Sequence, residues 1–80
     1  MEYFISMPKH GLTMREGTVI KWLKKEGEEV KAGEEVVEIF TGKVNIMITA
    51  ANEGILKKIL VNEGCVAEVG TPIGIIEDIN

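Results

Sequence analysis

The stretch Glu16-Gly17-Thr18-Val19-Ile20-Lys21-Trp22-Leu23-Lys24-Lys25-Glu26-Gly27 returns thirty-seven residues later as Glu53-Gly54-Ile55-Leu56-Lys57-Lys58-Ile59-Leu60-Val61-Asn62-Glu63-Gly64. Glu16 falls on Glu53, Val19 on Leu56, Lys21 on Lys58, Leu23 on Leu60 and Glu26 on Glu63, while the glycines 17, 27 and 33 fall on 54, 64 and 70. Further on, Val36 meets Ile73 and Ile39 meets Ile76. Each unit reads as a strand, a Glu-Gly turn, a short ramp to a second glycine and another strand. The glycines at these points are expected to hold positive φ, a region costly to other L-residues. A half-domain this small buries no apolar face alone, so the two halves must pack on each other. The sequence therefore predicts an all-β fold, a flattened barrel or sandwich of two antiparallel sheets with internal two-fold pseudo-symmetry.

The remaining sequence supports that class. Short β-branched runs lie between glycines at 3–7, 18–23, 36–40, 44–49, 55–61 and 73–76. Strand-sized runs punctuated by turn residues at this spacing are the all-β pattern. The best helix candidate, residues 22–32, carries Gly27 at its centre and lacks helical apolar spacing. Strand alternation assigns the core to Ile5, Val19, Leu23, Val30, Val37, Ile39, Val44, Ile46, Ile48, Leu56, Leu60, Val66 and Ile76, with a bulge able to reverse the alternation in Val19–Trp22.

Composition narrows the function. Eighty residues, 45% of them apolar, make one small domain (1–80) whose core leaves no material for a deep catalytic cavity. Thirteen acids against nine bases give a net charge of −4, which argues against a phosphate-tracking nucleic-acid surface. With one cysteine, Cys65, and one histidine, His10, there is no internal disulfide and no Cys/His metal set. No apolar run approaches the roughly 20 residues of a membrane span, and the first thirty residues lack a signal-peptide core. The expectation is a non-catalytic domain of a reducing compartment, the cytoplasm, with neither nucleic acid nor membrane as partner.

The repeat also singles out a position. The join between the units (40–52) and the chain termini occupy equivalent places, so they are expected at opposite ends, with Met1 and Asn80 far from the join. In that join, Thr41-Gly42-Lys43-Val44 forms a tight turn that leaves Lys43 at an exposed apex. By itself a turn lysine is a solubilising charge, and the chain has eight lysines. Its place at the midpoint of a duplicated scaffold distinguishes this one. A primary amine on a rigid turn is suited to carry an acyl group in amide linkage.

The run Met7-Pro8-Lys9-His10-Gly11-Leu12-Thr13-Met14-Arg15-Glu16-Gly17 through Lys24-Lys25-Glu26-Gly27, with the closing Gly54-Ile55-Leu56, Glu63-Gly64 and Val69-Gly70-Thr71-Pro72-Ile73, resembles lipoyl domains of 2-oxo-acid and acetoin dehydrogenase complexes over residues 3–77. The resemblance implies that Lys43 bears covalent lipoic acid. It implies as partners a lipoate-protein ligase, a thiamine-diphosphate 2-oxo-acid or acetoin dehydrogenase, an acyltransferase catalytic domain and a flavin-dependent dihydrolipoamide dehydrogenase. It further implies that the chain is the arm of a dihydrolipoamide acyltransferase or related component, and that the loop from Lys9 to Gly17 approaches the lysine and aids recognition.

At the apex the sequence departs from that family. Gly42 stands where an aspartate usually precedes the lysine, and Phe40 and Met47 stand where acids are common. Alternation sends Phe40 and Met47 outward as diagonal neighbours across the hairpin, so Phe40, Thr41, Gly42, Val44 and Met47 form the expected recognition surround of Lys43. Phe40 and Met47 either pack on each other or form a docking patch. Two other functions share the architecture. A biotin carrier has the same apex lysine but usually methionines on both sides, where this chain has Gly42 and Val44. An unmodified assembly domain would have lost the modification with the acid. Trp22 reads as a packing residue with its indole N–H near the edge, Cys65 as an incidental thiol, and His10 as a solvated loop side chain.

Overall fold

The computed structural model describes residues 1–78, and among them there is no helix. Eight strands form: β1 (Glu2–Ser6), β2 (Glu16–Trp22), β3 (Glu29–Val30), β4 (Glu35–Phe40), β5 (Asn45–Thr49), β6 (Gly54–Ile59), β7 (Val66–Glu68) and β8 (Pro72–Asp78). They make two four-stranded antiparallel sheets, β1-β8-β6-β3 and β5-β4-β2-β7. Exchanging β1 with β5, β8 with β4, β6 with β2 and β3 with β7 turns one sheet order into the other, which is the expected two-fold. The short β3 and β7 are repeat mates and lie within the ramp between the paired glycines of each unit.

The core lies between the sheets. Ile5, Val19, Val30, Val37, Ile39, Leu56 and Ile76 are buried as expected, joined by Met7, Met14, Trp22, Val36, Ala50, Ala67 and Ile73. Trp22 reaches across the sandwich onto Gly74, where an added Cβ would sit 2.7 Å from the indole. The large residue of one sheet thus meets a glycine of the other. The indole N–H donates to the Val61 carbonyl at 2.9 Å, so the ring is buried with its polar edge satisfied.

Four expected core residues lie outside. Leu23 is 37% exposed and Leu60 41%, because a register shift between Val19 and Lys21, and its repeat mate between Leu56 and Lys58, inserts one residue into each strand. The bulge sends Val19 and Trp22 inward together and turns the following leucine out. Val66 is exposed because Ala67 is the inward residue of β7, and Val44 because it belongs to the hairpin tip, before β5 begins. Ile46 and Ile48 are half-buried, since β5 is a sheet edge.

The glycine pairs also divide. Gly27, Gly33, Gly64 and Gly70 have positive φ, whereas Gly17 and Gly54 do not. Those two are needed for close approach: a Cβ at Gly54 would stand 2.3 Å from the Glu77 carbonyl oxygen, and one at Gly17 would stand 2.7 Å from the Met7 sulfur.

β1 and β5 are offset by forty-three residues where the other three strand pairs are offset by thirty-seven or thirty-eight, so the β1–β2 connection, nine residues, is five longer than the β5–β6 connection, four. This insertion is the main departure from two-fold symmetry. It leads directly to the site.

Candidate functional site

Lys43 occupies the second position of a two-residue turn between β4 and β5, and is exposed. Gly42 takes φ +100°, and among the described residues no non-glycine has positive φ, so of the two central residues only Gly42 is left-handed, as in the II′ turns that match the right-handed twist of flanking strands. Thr41 closes it. The Thr41 N–H donates to the Val44 carbonyl at 2.9 Å, and the Thr41 hydroxyl donates to the same oxygen at 3.1 Å. That hydroxyl also accepts the N–H groups of Val44 at 3.2 Å and Lys43 at 3.4 Å. The turn thus holds the lysine backbone from both sides and leaves its amine free.

Met1 lies at the other end of the molecule. Its carbonyl accepts the Asp78 N–H, Asp78 pairs with Gly54, and Gly54 follows the connection at the end of β5 remote from the tip. Asn80, the other terminal residue of that expectation, lies outside the described residues.

The inserted connection folds back over the lysine end. Its residues His10 to Glu16 face Thr41 to Val44 across a recess of about 540 Å³. Met14 pins this loop: the side chain is buried, it lies against Gly17 with Met7, and its sulfur accepts the His10 N–H at 3.1 Å. His10 and Arg15 are exposed, as is Leu12. The approach of the loop to the lysine was expected. The anchoring role of Met7 and Met14 was not, and its signal was the lengthened β1–β2 connection, which the thirty-seven-residue shift alone conceals.

Phe40 and Met47 are exposed on the outer face of the hairpin, 36% and 42% respectively. Phe40 pairs with Asn45 and Glu38 with Met47, so Phe40 and Met47 lie on one diagonal, as alternation requires. The other diagonal is bridged: Asn45 Nδ2 donates to Glu38 Oε2 at 2.9 Å, across the space between the two apolar side chains. Val44, 48% exposed, extends the apolar surface to the lysine. From residue 40 to 47 the only charge is Lys43. Cys65 is exposed immediately before β7 and takes no part in this site.

Among the described residues there is no group of His, Cys, Asp and Glu able to hold a metal. What the tip offers is one accessible primary amine on a braced turn, with open space around Gly42, where no atom lies within 4 Å of an added Cβ. Such an arrangement fits covalent attachment of an extended acyl group through Lys43 Nζ.

Comparison with known proteins agrees with that geometry. The family model Biotin_lipoyl, described as "Biotin-requiring enzyme", matches residues 4–76. The dihydrolipoyllysine-residue succinyltransferase component of the 2-oxoglutarate dehydrogenase complex of Staphylococcus saprophyticus is 38% identical over 90% of this chain. The dihydrolipoyllysine-residue acetyltransferase component of the acetoin cleaving system of Pseudomonas putida is 35% identical, also over 90%. The chain spans 17% and 20% of those relatives' lengths. The solution structure of the lipoyl domain of the 2-oxoglutarate dehydrogenase complex from Azotobacter vinelandii superposes with a TM-score of 0.79 at 35% identity, covering 94% of this chain and 95% of that one.

Proposed function

The chain belongs to the biotinyl/lipoyl attachment family and has the build of a lipoyl carrier domain, and from that premise we propose that Lys43 is its lipoyl attachment site. The observation that carries this reading is the braced apex: one exposed amine on a two-residue turn, at the end of the sandwich remote from Met1. When bound, the lipoyl group supplies a dithiolane that is reduced and acylated and then hands its acyl group on. The protein's own contribution is mechanical. Thr41 and Gly42 fix the point from which the arm swings, and the sandwich holds that point at the end remote from Met1, with the loop His10 to Glu16 facing it across the recess. Tethering raises the effective concentration of the arm at each active site to about the millimolar range, so weak encounters suffice.

The partners we infer are a lipoate-protein ligase, a thiamine-diphosphate 2-oxo-acid or acetoin dehydrogenase, an acyltransferase catalytic domain and a dihydrolipoamide dehydrogenase. The support lies in the relatives, which are components of such complexes. The domain itself contributes no acid, base or nucleophile to the transfers. Gly42 and Val44, in place of methionines beside the lysine, favour lipoyl over biotinyl attachment.

Reductive acylation tests the role. Lipoylated domain is offered to thiamine-diphosphate dehydrogenases with pyruvate, 2-oxoglutarate or acetoin, and acyl transfer is read by mass. Acylation with one of these substrates is the expected result. A lipoylated domain that no such enzyme acylates contradicts the carrier role.

A further inference from the structure

Leu12 is 94% exposed, more than any other large apolar side chain among the described residues. It sits in the β1–β2 connection, nine residues long where the equivalent β5–β6 connection has four. The scaffold does not need this length, and Leu12 adds nothing to the core. Nor is the connection a loose flap. The Met7 N–H donates to the Thr71 carbonyl at 2.9 Å, the Gly70 N–H to the Met7 carbonyl at 2.8 Å and the Val69 N–H to the Arg15 carbonyl at 2.9 Å. Both ends of the loop are thus tied to the β7–β8 turn, and the buried Met14 holds its middle.

This fixed loop and the β4–β5 turn enclose the recess of about 540 Å³, and Lys43 itself lines it. Three apolar side chains line it as well: Leu12 and the buried Met14 from the loop, and Val44 from the turn. Phe40 and Met47, on the outer face of the hairpin, do not. A group carried in amide linkage on Lys43 therefore starts from the wall of a recess with apolar sides. Amide formation also removes the Lys43 charge, leaving Arg15 and Glu16, of opposite sign, on the rim. Such walls suit an unbranched apolar chain better than a charged one.

We propose that this recess is a resting site for the lipoyl chain on Lys43, with Leu12 and Val44 as its apolar walls. The inference rests on the reading of Lys43 as lipoyl acceptor. Contact between those side chains and the methylenes of the lipoyl chain removes apolar surface from water on both partners. The tether makes a weak site sufficient. A short flexible linker gives an effective concentration in about the millimolar range, so a site of about millimolar affinity for the free chain is occupied about half the time. Occupancy of that order leaves the arm available to each enzyme and shelters the dithiolane from bulk water between visits. The lengthened β1–β2 connection, which the two-fold does not require, then has a use as one wall of the site.

Chemical synthesis of the eighty-residue chain places an acetyl, octanoyl or lipoyl group on Lys43 without an enzyme. Nuclear Overhauser contacts and methyl chemical shifts are compared among the three, in wild type and in Leu12→Ser and Leu12→Met. The octanoyl and lipoyl chains should contact the Leu12 and Val44 methyls. Acetyl removes the same charge but has no chain to dock, and should leave the Leu12 methyls unshifted. Leu12→Ser should lower the docked-to-free ratio, read from the Val44 methyl shift, about fivefold. Leu12→Met should keep that ratio within about twofold. Leu12 is exposed, so melting of both variants should stay within about 3 °C of wild type. Leu12 shifts as large with acetyl as with lipoyl, contacts to Phe40 or Met47 in place of Leu12, or a chain that contacts neither wall overturns the proposal. A ligase that never modifies Lys43 would instead remove the lipoyl reading while leaving these spectra unchanged, so the two failures are distinct.

Discussion

The Glu63 carboxylate accepts the backbone N–H of Trp22 at 2.9 Å, and the Glu26 carboxylate accepts the N–H of Ile59 at 2.8 Å. Both glutamates and both donor strands are related by the thirty-seven-residue repeat, so each half-domain caps the bulged strand of the other. The main-chain ring is reciprocal as well: Gly27 N–H donates to the Leu56 carbonyl and Gly64 N–H to the Val19 carbonyl, both at 2.7 Å. The recurrence of Glu-Gly at 26–27 and 63–64 thus has a structural cause.

Hydrogen bonds from a backbone N–H to a charged acceptor are worth about 1.5–3 kcal/mol. Glu63→Ala should therefore destabilise the domain by an amount in that range. Glu26→Ala should cost less, since its bond is more exposed than the partly buried Trp22 bond. Urea titrations of the two variants measure the difference. Equal stability of wild type and Glu63→Ala would show that the cross-repeat cap carries no weight.

Leu56 and Leu60 separate burial from residue type. Leu56 is fully buried and Leu60 is 41% exposed. Leu56→Ala should cost about 2–5 kcal/mol and Leu60→Ala less than half as much. Thermal or denaturant melts that rank them the other way would place the bulge of β6 wrongly.

The close-approach glycines give a third contrast. At Gly54 an added Cβ meets the Glu77 backbone, which is part of the β6–β8 ladder and cannot move without breaking it. At Gly17 the nearest atoms are the flexible ends of Met7 and Met14. Gly54→Ala should be the more damaging of the two, by about 1–3 kcal/mol. Comparable melting of both variants would contradict this.

Acid should weaken one ion pair visibly. Lys24 Nζ lies 2.7 Å from Glu34 Oε2, and that hydrogen bond, with the Lys31 N–H, holds the Glu34 carboxyl below the usual glutamate value. A lowered folded value means that the contribution is fully present above the unfolded value, about 4.3, and is lost as pH falls through the folded one. The difference in Tm between wild type and Glu34→Gln should therefore be largest at neutral pH and shrink in acid. The pair is at the surface and partly open to solvent, so the effect is small. A difference that stays constant with pH would show that the pair does not sense the titration.

Much of this was legible in the residues. The repeat gave the two-sheet architecture, and the place of Lys43 followed from the symmetry of join and termini. Leu23 and Leu60 were misplaced because a bulge adds a residue without altering composition, so alternation counted across it inverts. β3 and β7 were invisible because strands of two and three residues carry no period. At the site, Thr41 to Val44 could be read as a turn. The loop facing it could be suspected only from family resemblance, since its wall is built by an insertion that interrupts the repeat. Met14 looks like any loop methionine until the sulfur is seen to accept the His10 N–H.

The central claim, that Lys43 is a lipoyl acceptor, is tested most directly by peptide-resolved mass spectrometry. The domain and its Lys43→Arg variant are incubated with ATP, lipoate and a lipoate ligase, and in parallel with ATP, biotin and a biotin ligase. The exposed substitution should change stability by no more than about 0.5 kcal/mol, so both chains stay folded. The account predicts one lipoyl group on the peptide containing Lys43, no biotin, and no addition to Lys43→Arg. Lipoylation persisting in Lys43→Arg, biotin added in place of lipoate, or no addition to wild type would contradict it.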